Sequence, residues 1–159
     1  MTDDSQWVRI ERSFDAAIDA VWGMWTDPAL FASWYGPKGM TIPVAEMDVT
    51  VGGTRKICME MQSPERTMTM WLTGVYKVIS PPHRLVYTEA MCDADGTLLA
   101  PEAMGMPADT PQITEVIVEL REEGGKTHMT MVHRGVPAGT AGEGGWRQAI
   151  EKLAARLAG

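Results

Sequence analysis

The chain contains a long series of predicted strands followed by one amphipathic helix. Apart from one long connection at 93–112, each strand follows the previous one after a short break rich in Gly, Pro or Ser, which predicts a mostly antiparallel sheet. A sheet of this size with one apolar helix to bury is expected to curl around that helix. The six predicted strands span residues 40–49, 54–62, 67–79, 84–92, 113–122 and 126–134.

The segment before this series adds one strand and two short helices. Residues 7–14 alternate apolar and polar side chains, which indicates a strand with one face exposed to water. Asp15 is the expected N-cap of a first helix, whose apolar stripe contains Val21 and Trp25. Asp27 and Pro28 are typical of the N-cap and first position of a second helix. The sequence therefore predicts an α+β domain in the order β-α-α-β-β-β-β-β-β-α.

The last helix is expected to begin at a capping box formed by Thr140 and Glu143. Trp146, Ile150 and Leu153 then recur on one face, opposite charged side chains. Residues 1–159 carry no internal repeat, and their length fits one domain with its own core. We therefore expect a single domain in which a curved, seven-stranded antiparallel sheet wraps around the C-terminal helix.

Charge and composition exclude several classes of function. A net charge of −7, with 14 basic against 21 acidic residues, disfavours nucleic acid as a partner. No window approaches the roughly 20 apolar residues that span a bilayer, so membrane insertion is not expected. The two cysteines are distant and form no Cys-x-x-Cys motif, which favours a cytoplasmic protein with free thiols. Neither a metal site nor a cofactor is predicted, because the three histidines show no ligand spacing.

Short motifs distributed along nearly the whole chain resemble one family. The matching segments, in the family's order, are Phe14-Asp15-Ala16, Val21-Trp22, Asp27-Pro28, Trp34-Tyr35-Gly36-Pro37, Val51-Gly52-Gly53, Gly74-Val75-Tyr76, residues 81–85, Tyr87-Thr88-Glu89, residues 127–133, and Gly145-Trp146 followed by Leu153. The chain resembles the START-like (SRPBCC) superfamily and, within it, the domain homologous to the activator of the Hsp90 ATPase. This resemblance implies the helix-grip fold, with a cavity between the C-terminal helix and the sheet.

Polar side chains that share a strand face with apolar ones are the candidate site residues. Tyr87, Glu89 and Met91 lie on one side of their strand, and His133 shares a side with two methionines. Arg55 aligns with Ile57 in the same way. Glu89 and His133 are the candidate acid–base groups, since a carboxylate or an imidazole in an apolar cavity can donate or accept a proton. The alternatives are that Glu89 pairs with Arg55 or faces solvent, and that His133 is simply hydrogen-bonded.

Methionine is unusually frequent, with 13 Met and 6 Trp against 2 Phe and 3 Tyr. Several Met-x-Met pairs place both side chains on one strand face, where flexible thioethers can line a cavity or fill an irregular core. Trp146 and Ile150 of the C-terminal helix would face them. The predicted ligand-binding residues are Arg55, Ile57, Met59, Met61, Met70, Tyr87, Glu89, Met91, Met129, Met131, His133, Trp146 and Ile150.

Three functions are compatible with these observations. The leading hypothesis is binding of a small hydrophobic or aromatic ligand between helix and sheet, with the proline-rich connection at 93–112 as a candidate lid. The first alternative, implied by the resemblance alone, is a co-chaperone-like module that binds a chaperone or another protein. The second is a cyclase- or hydrolase-like enzyme using the same cavity. A homodimer is an open alternative for the oligomeric state.

Overall fold

The structure, a computed structural model, describes residues 6–158 apart from the side chain of Met104. The predicted domain limits of 1–159 thus include residues 1–5 and 159, which lie outside the described part. A short 3-10 helix, Pro101–Met104, lies in the long connection at residues 93–112. In chain order the other elements are β1 (Trp7–Phe14), α1 (Ile18–Thr26), α2 (Pro28–Ala32), β2 (Met40–Met47), β3 (Thr54–Gln62), β4 (Thr67–Ser80), β5 (Arg84–Cys92), β6 (Ile113–Glu123), β7 (Lys126–Pro137) and α3 (Ala141–Ala158).

The seven strands form one antiparallel sheet in the order β1-β7-β6-β5-β4-β3-β2. Strands β2 to β7 form a meander in which each strand pairs with the next. The first strand, β1, pairs with the last one, β7. The predicted α+β fold, a curved seven-stranded sheet with a long C-terminal helix, is confirmed. Because α3 follows β7 directly, it packs back against β1 and β7.

The N-cap of α1 corrects one prediction. The cap is Ala17, which has no side-chain capping bond, so the assignment of Asp15 was wrong. The amide of Ile18 instead donates to Glu122 Oε2 of β6 at 3.3 Å, so a neighbouring strand supplies the acceptor that the local sequence was expected to provide. At α2 the prediction is confirmed, because Asp27 Oδ1 accepts from the amides of Ala29 and Leu30.

The capping box at the start of α3 is only partly formed. Glu143 Oε1 does accept a backbone N–H, but that of Gly139 rather than that of the expected Thr140. This bond lowers the pKa of the half-buried Glu143 carboxyl below its ordinary value. The Thr140 hydroxyl donates to the carbonyl of Pro137, which ties the helix start to the end of β7. The helix therefore begins after Thr140, as the motif predicts, but the capping hydrogen bonds of Thr140 and Glu143 go to other backbone groups than expected.

The main core lies between the concave face of the sheet and the three helices. Trp25 and Trp34 meet edge to face with ring centroids 4.7 Å apart, and Trp25 stacks against Trp146 at 6.1 Å. These rings join α1, the segment after α2, and α3 into one aromatic layer. The buried face of α3 consists of Trp146, Ala149, Ile150 and Leu153.

Within residues 6–158 the register between paired strands shifts at three places, at Trp7/Val8, Thr41/Val44 and Tyr76/Val78, and β4 also approaches β5 unusually closely. Gly74 of β4 lies so close to β5 that a Cβ atom there would stand 1.8 Å from the carbonyl oxygen of Thr88, which excludes any side chain. At the edge strand β2, the register against β3 shifts between Thr41 and Val44. Pro43 lies inside this irregularity, where its missing N–H breaks no ladder hydrogen bond.

The long connection between β5 and β6 folds back along the sheet. Asp93 Oδ1 accepts from the amides of Asp95 and Thr97, which forms a tight turn. Leu98 then forms a β-bridge with Cys92 before the 3-10 helix begins. Within residues 6–158, none of the helices is both long and apolar enough to cross a lipid bilayer.

Candidate functional site

A cavity of about 270 Å³ lies between the first turns of α3, the segment that joins α2 to β2, and the concave face of β3 to β5. Its wall is almost entirely apolar, and four methionines contribute to it. Glu89 is its one charged lining residue among the described part of the chain. The lining residues are Tyr35, Gly36, Pro37, Met40, Met59, Met70, Leu72, Glu89, Met91, Ala141, Gly142, Gly145, Trp146 and Ala149.

The predicted ligand-binding residues divide into two groups. Five of them line this cavity: Met59, Met70, Glu89, Met91 and Trp146. The other eight do not line it, and all of these except the half-buried Met61 are buried in the core or just beneath the cavity: Arg55, Ile57, Met61, Tyr87, Met129, Met131, His133 and Ile150. The two candidate acid–base groups are thus separated, since Glu89 reaches the cavity and His133 does not.

Arg55 is a buried cation enclosed by aromatic rings. Its side chain is 1% exposed, and its guanidinium carbon lies 3.8 Å from the ring centroid of Tyr87. The rings of Phe31, Tyr35 and Tyr76 complete the enclosure at 5.2–6.0 Å. Nη1 lies 3.4 Å from Glu89 Oε2, while Nε and Nη2 have no hydrogen-bond partner among the described residues. Cation–π attraction thus replaces much of the hydration that this charge would have in water.

A hydrogen-bond chain leads from this cation to the cavity. The Tyr35 hydroxyl donates to Glu89 Oε2 at 2.8 Å, so the Tyr87 hydroxyl, also at 2.8 Å, donates to Tyr35. Burial, and then the nearby Glu89, raises the pKa of Tyr35 well above its ordinary value, which keeps this hydroxyl a donor. Both described contacts of the Glu89 carboxylate engage Oε2. The second oxygen, Oε1, is therefore available to accept a hydrogen bond.

His133 supports the cavity wall from behind. Trp146 Nε1 donates to His133 Nδ1 at 2.8 Å, and an indole N–H is only a donor, so Nδ1 carries the lone pair. The ring proton is then on Nε2, which donates to Thr114 Oγ1 at 2.7 Å. The Thr114 hydroxyl in turn donates a hydrogen bond to the backbone carbonyl of Glu89 at 3.0 Å. Both ring nitrogens of His133 are thus occupied in holding Trp146 and β5 in place.

This arrangement predicts a pH dependence of stability. Burial lowers the pKa of His133 below its ordinary value of 6.5, and the opposing attraction of Glu89 does not reverse this. The unfolded chain therefore takes up a proton more readily than the folded chain, and the free energy of unfolding should fall as the pH drops below about 6.5. The limiting slope is about 1.4 kcal/mol per pH unit. Urea unfolding between pH 7.5 and 5 measures it.

The control for this prediction is a second histidine on the same strand. His133→Gln should flatten the pH profile, because the residue at 133 no longer titrates. His128→Gln, on the opposite face of β7, controls for the loss of a histidine as such. Equal slopes for the wild type and His133→Gln would contradict the prediction.

The structure also shows site residues that the sequence reasoning did not select. Tyr35, Gly36 and Pro37 form one wall of the cavity, and Gly36 has a positive φ of 86° that a side chain would strain. The motif containing them was part of the family resemblance, so this signal was available. Thr114 carried no comparable signal. Of the described residues of 93–112, the candidate lid, none lines the cavity.

The described residues form no cluster of potential metal ligands. Within residues 6–158, no group of three or more His, Cys, Asp or Glu side chains is placed to hold a metal ion. What the cavity offers instead is one carboxylate and one tyrosine hydroxyl in an apolar wall. Such a site can orient a small apolar molecule by a few polar groups.

A family model described as Activator of Hsp90 ATPase homolog 1-like protein matches residues 15–158. The chain belongs to this family. The assignment places the domain in the START-like superfamily, as the sequence motifs indicated. The comparison with curated proteins gave no match.

Solved structures of this type are similar over nearly the full chain. A protein of Chromobacterium violaceum is 25% identical with a TM-score of 0.75, and 96% of each chain is covered. The AHSA1 protein of Silicibacter pomeroyi is also 25% identical, with a TM-score of 0.72 and coverage of 94% of this chain and 96% of that one. CalU16 of Micromonospora echinospora shares the fold at 22% identity, with a TM-score of 0.60 and coverage of 94% and 74%.

Proposed function

We propose that this member of the AHSA1-like family binds a small hydrophobic or aromatic ligand in the cavity beside α3. The observation that carries the proposal is the apolar cavity of about 270 Å³ with one carboxylate in its wall. Ligand pockets typically combine such a lining with a few polar groups that fix orientation. The buried thiols of Cys58 and Cys92 are free, which supports the cytoplasm as the site of action.

The volume limits the ligand to a small molecule. A dry cavity of about 150 Å³ accommodates benzene, so about 270 Å³ corresponds to one substituted ring or two fused rings. Four methionines, Met40, Met59, Met70 and Met91, form much of the wall. Their side chains can change rotamer at low cost, which allows the cavity to fit ligands of different outline.

Filling the cavity should abolish binding. Ala149 is 2% exposed and lines the cavity, so Ala149→Phe would place a ring inside it. We expect 2-methoxynaphthalene to raise the melting temperature of the wild type and to leave that of Ala149→Phe unchanged, because only the native state with an open cavity binds the probe. Thermal shift and native mass spectrometry measure this.

The matched control is Ala155→Phe, an exposed position on the same helix outside the cavity, which should bind like the wild type. If Ala149→Phe does not fold, Ala141→Trp at the exposed rim serves the same purpose. A wild type that responds neither to 2-methoxynaphthalene nor to 2-naphthol would refute the proposed function, and so would a blocked variant that binds as well as the wild type.

The two alternative functions have less support from the geometry. The co-chaperone alternative rests on the family description, and its test is direct binding to the chaperone. The enzyme alternative needs two acid–base groups at one cavity, whereas His133 is 6% exposed with both nitrogens engaged. Glu89 with Tyr35 would then have to perform any proton transfer.

A further inference from the structure

We propose that the polar end of the ligand is a neutral hydroxyl group that donates to Glu89 Oε1, and that ligands carrying a full charge of either sign are rejected. This inference rests on the proposed function and specifies its ligand class. The starting point is the distribution of bonds on the carboxylate. Tyr35 and Arg55 both approach Oε2, and no described residue donates to Oε1, which belongs to a residue lining the cavity. A hydrogen-bond acceptor without a donor in an apolar wall favours a ligand that supplies a hydrogen-bond donor.

The charge of Glu89 is already balanced within the protein. Arg55 Nη1 lies 3.4 Å from Oε2, and the two side chains are 1% and 11% exposed. The guanidinium is held against the Tyr87 ring, and Arg55 itself does not line the cavity. The pair therefore presents a hydrogen-bond acceptor to the ligand without an unmatched charge.

A charged ligand would disturb this balance. A carboxylate would face the like charge of Glu89 in a site where water screens little. An ammonium group would lose its hydration and gain only a carboxylate that Arg55 already neutralises. A hydroxyl supplies the missing donor at a much lower desolvation cost. The apolar remainder of the molecule would lie against the methionines.

The test uses four naphthalene probes that differ only at one substituent: 2-naphthol, 2-methoxynaphthalene, 2-naphthoate and 2-naphthylmethylammonium. Quenching of tryptophan fluorescence gives their Kd values, since Trp146 lines the cavity, and calorimetry checks them. We expect 2-naphthol to bind about tenfold tighter than 2-methoxynaphthalene, which accepts but cannot donate a hydrogen bond. The two charged probes should bind more weakly than either neutral one.

Glu89→Gln identifies the residue responsible. Removing the negative charge leaves Arg55 unmatched, so the order of the charged probes should invert and 2-naphthoate should bind measurably. Glu119→Gln removes one carboxylate from an exposed position on β6 and should keep the wild-type order. If Glu89→Gln does not fold, the wild-type series alone decides the matter.

The outcomes separate this inference from the proposed function. Equal binding of 2-naphthol and 2-methoxynaphthalene by the wild type would overturn the hydroxyl proposal and leave cavity binding intact. So would a 2-naphthol preference that is unchanged in Glu89→Gln. Absence of binding by all four probes would overturn both proposals together.

Discussion

Arg55→Met is expected to lower the free energy of unfolding by about 3–5 kcal/mol, the cost of removing one partner of a buried ion pair. The substitution leaves Glu89, which is 11% exposed, next to Tyr35 without its cation. It also removes the cation–π contact with Tyr87 at 3.8 Å. Urea unfolding at neutral pH measures the loss. Because small domains are stable by only about 5–15 kcal/mol, the variant should be near the limit of folding.

A double variant separates the charge from the packing. Arg55→Met with Glu89→Gln removes both charges while the amide can still accept from Tyr35. We expect this pair to recover at least half of the loss, since replacing a buried ion pair as a whole costs far less than breaking it. A single variant within about 1 kcal/mol of the wild type would contradict the buried-pair interpretation.

Trp34→Ala is expected to destabilise the fold by a similar amount, about 3–5 kcal/mol, because it empties the centre of the aromatic layer. The side chain is fully buried, and its centroid lies 4.7 Å from Trp25, 5.7 Å from Phe31 and 5.3 Å from Tyr35. Its Nε1 donates to the carbonyl of Met24 at 2.8 Å, a bond that the variant leaves unmade. Denaturant unfolding and near-ultraviolet circular dichroism measure the effect.

Two other tryptophan positions provide the comparison. Trp34→Phe keeps an aromatic ring and loses the N–H, so its cost should be smaller than that of Trp34→Ala. Trp22→Ala removes a half-buried ring from α1 and should lower the free energy of unfolding by less than Trp34→Ala does. If Trp22→Ala were the more damaging alanine variant, the aromatic layer would not be the structural centre that its geometry indicates.

The fold was largely predictable because strand alternation and turn residues are local signals. Strands β1, β3 and β5 begin and end at the predicted residues, and Asp27 with Pro28 starts α2 as expected. The cap of α1 was not predictable in this way. Its acceptor, Glu122, lies more than 100 residues away, and no property of the sequence near Asp15 reveals it.

The sequence predicted which side chains face the concave side of the sheet, but not where on that side the cavity lies. Alternation along a strand tells which side chains face inward, and it correctly grouped Glu89 with Met91. It does not tell how far the helix fills the concave face. Because α3 packs against β1 and β7, Met129 and Met131 are fully buried, and the open space lies over β3 to β5 instead. Tyr35 was not predicted as a site residue because it lies in a non-periodic segment and contacts Glu89 only in the folded structure.

The irregular edge strand β2 has a consequence for how copies of this protein meet one another. An exposed strand edge can template the addition of a strand from another molecule and so begin aggregation. Here the shift between Thr41 and Val44 interrupts the ladder, and Pro43 offers no N–H to an incoming chain. The charged Glu46 adds electrostatic repulsion between two such edges. The fold thus presents an edge that resists sheet-to-sheet growth at high protein concentration.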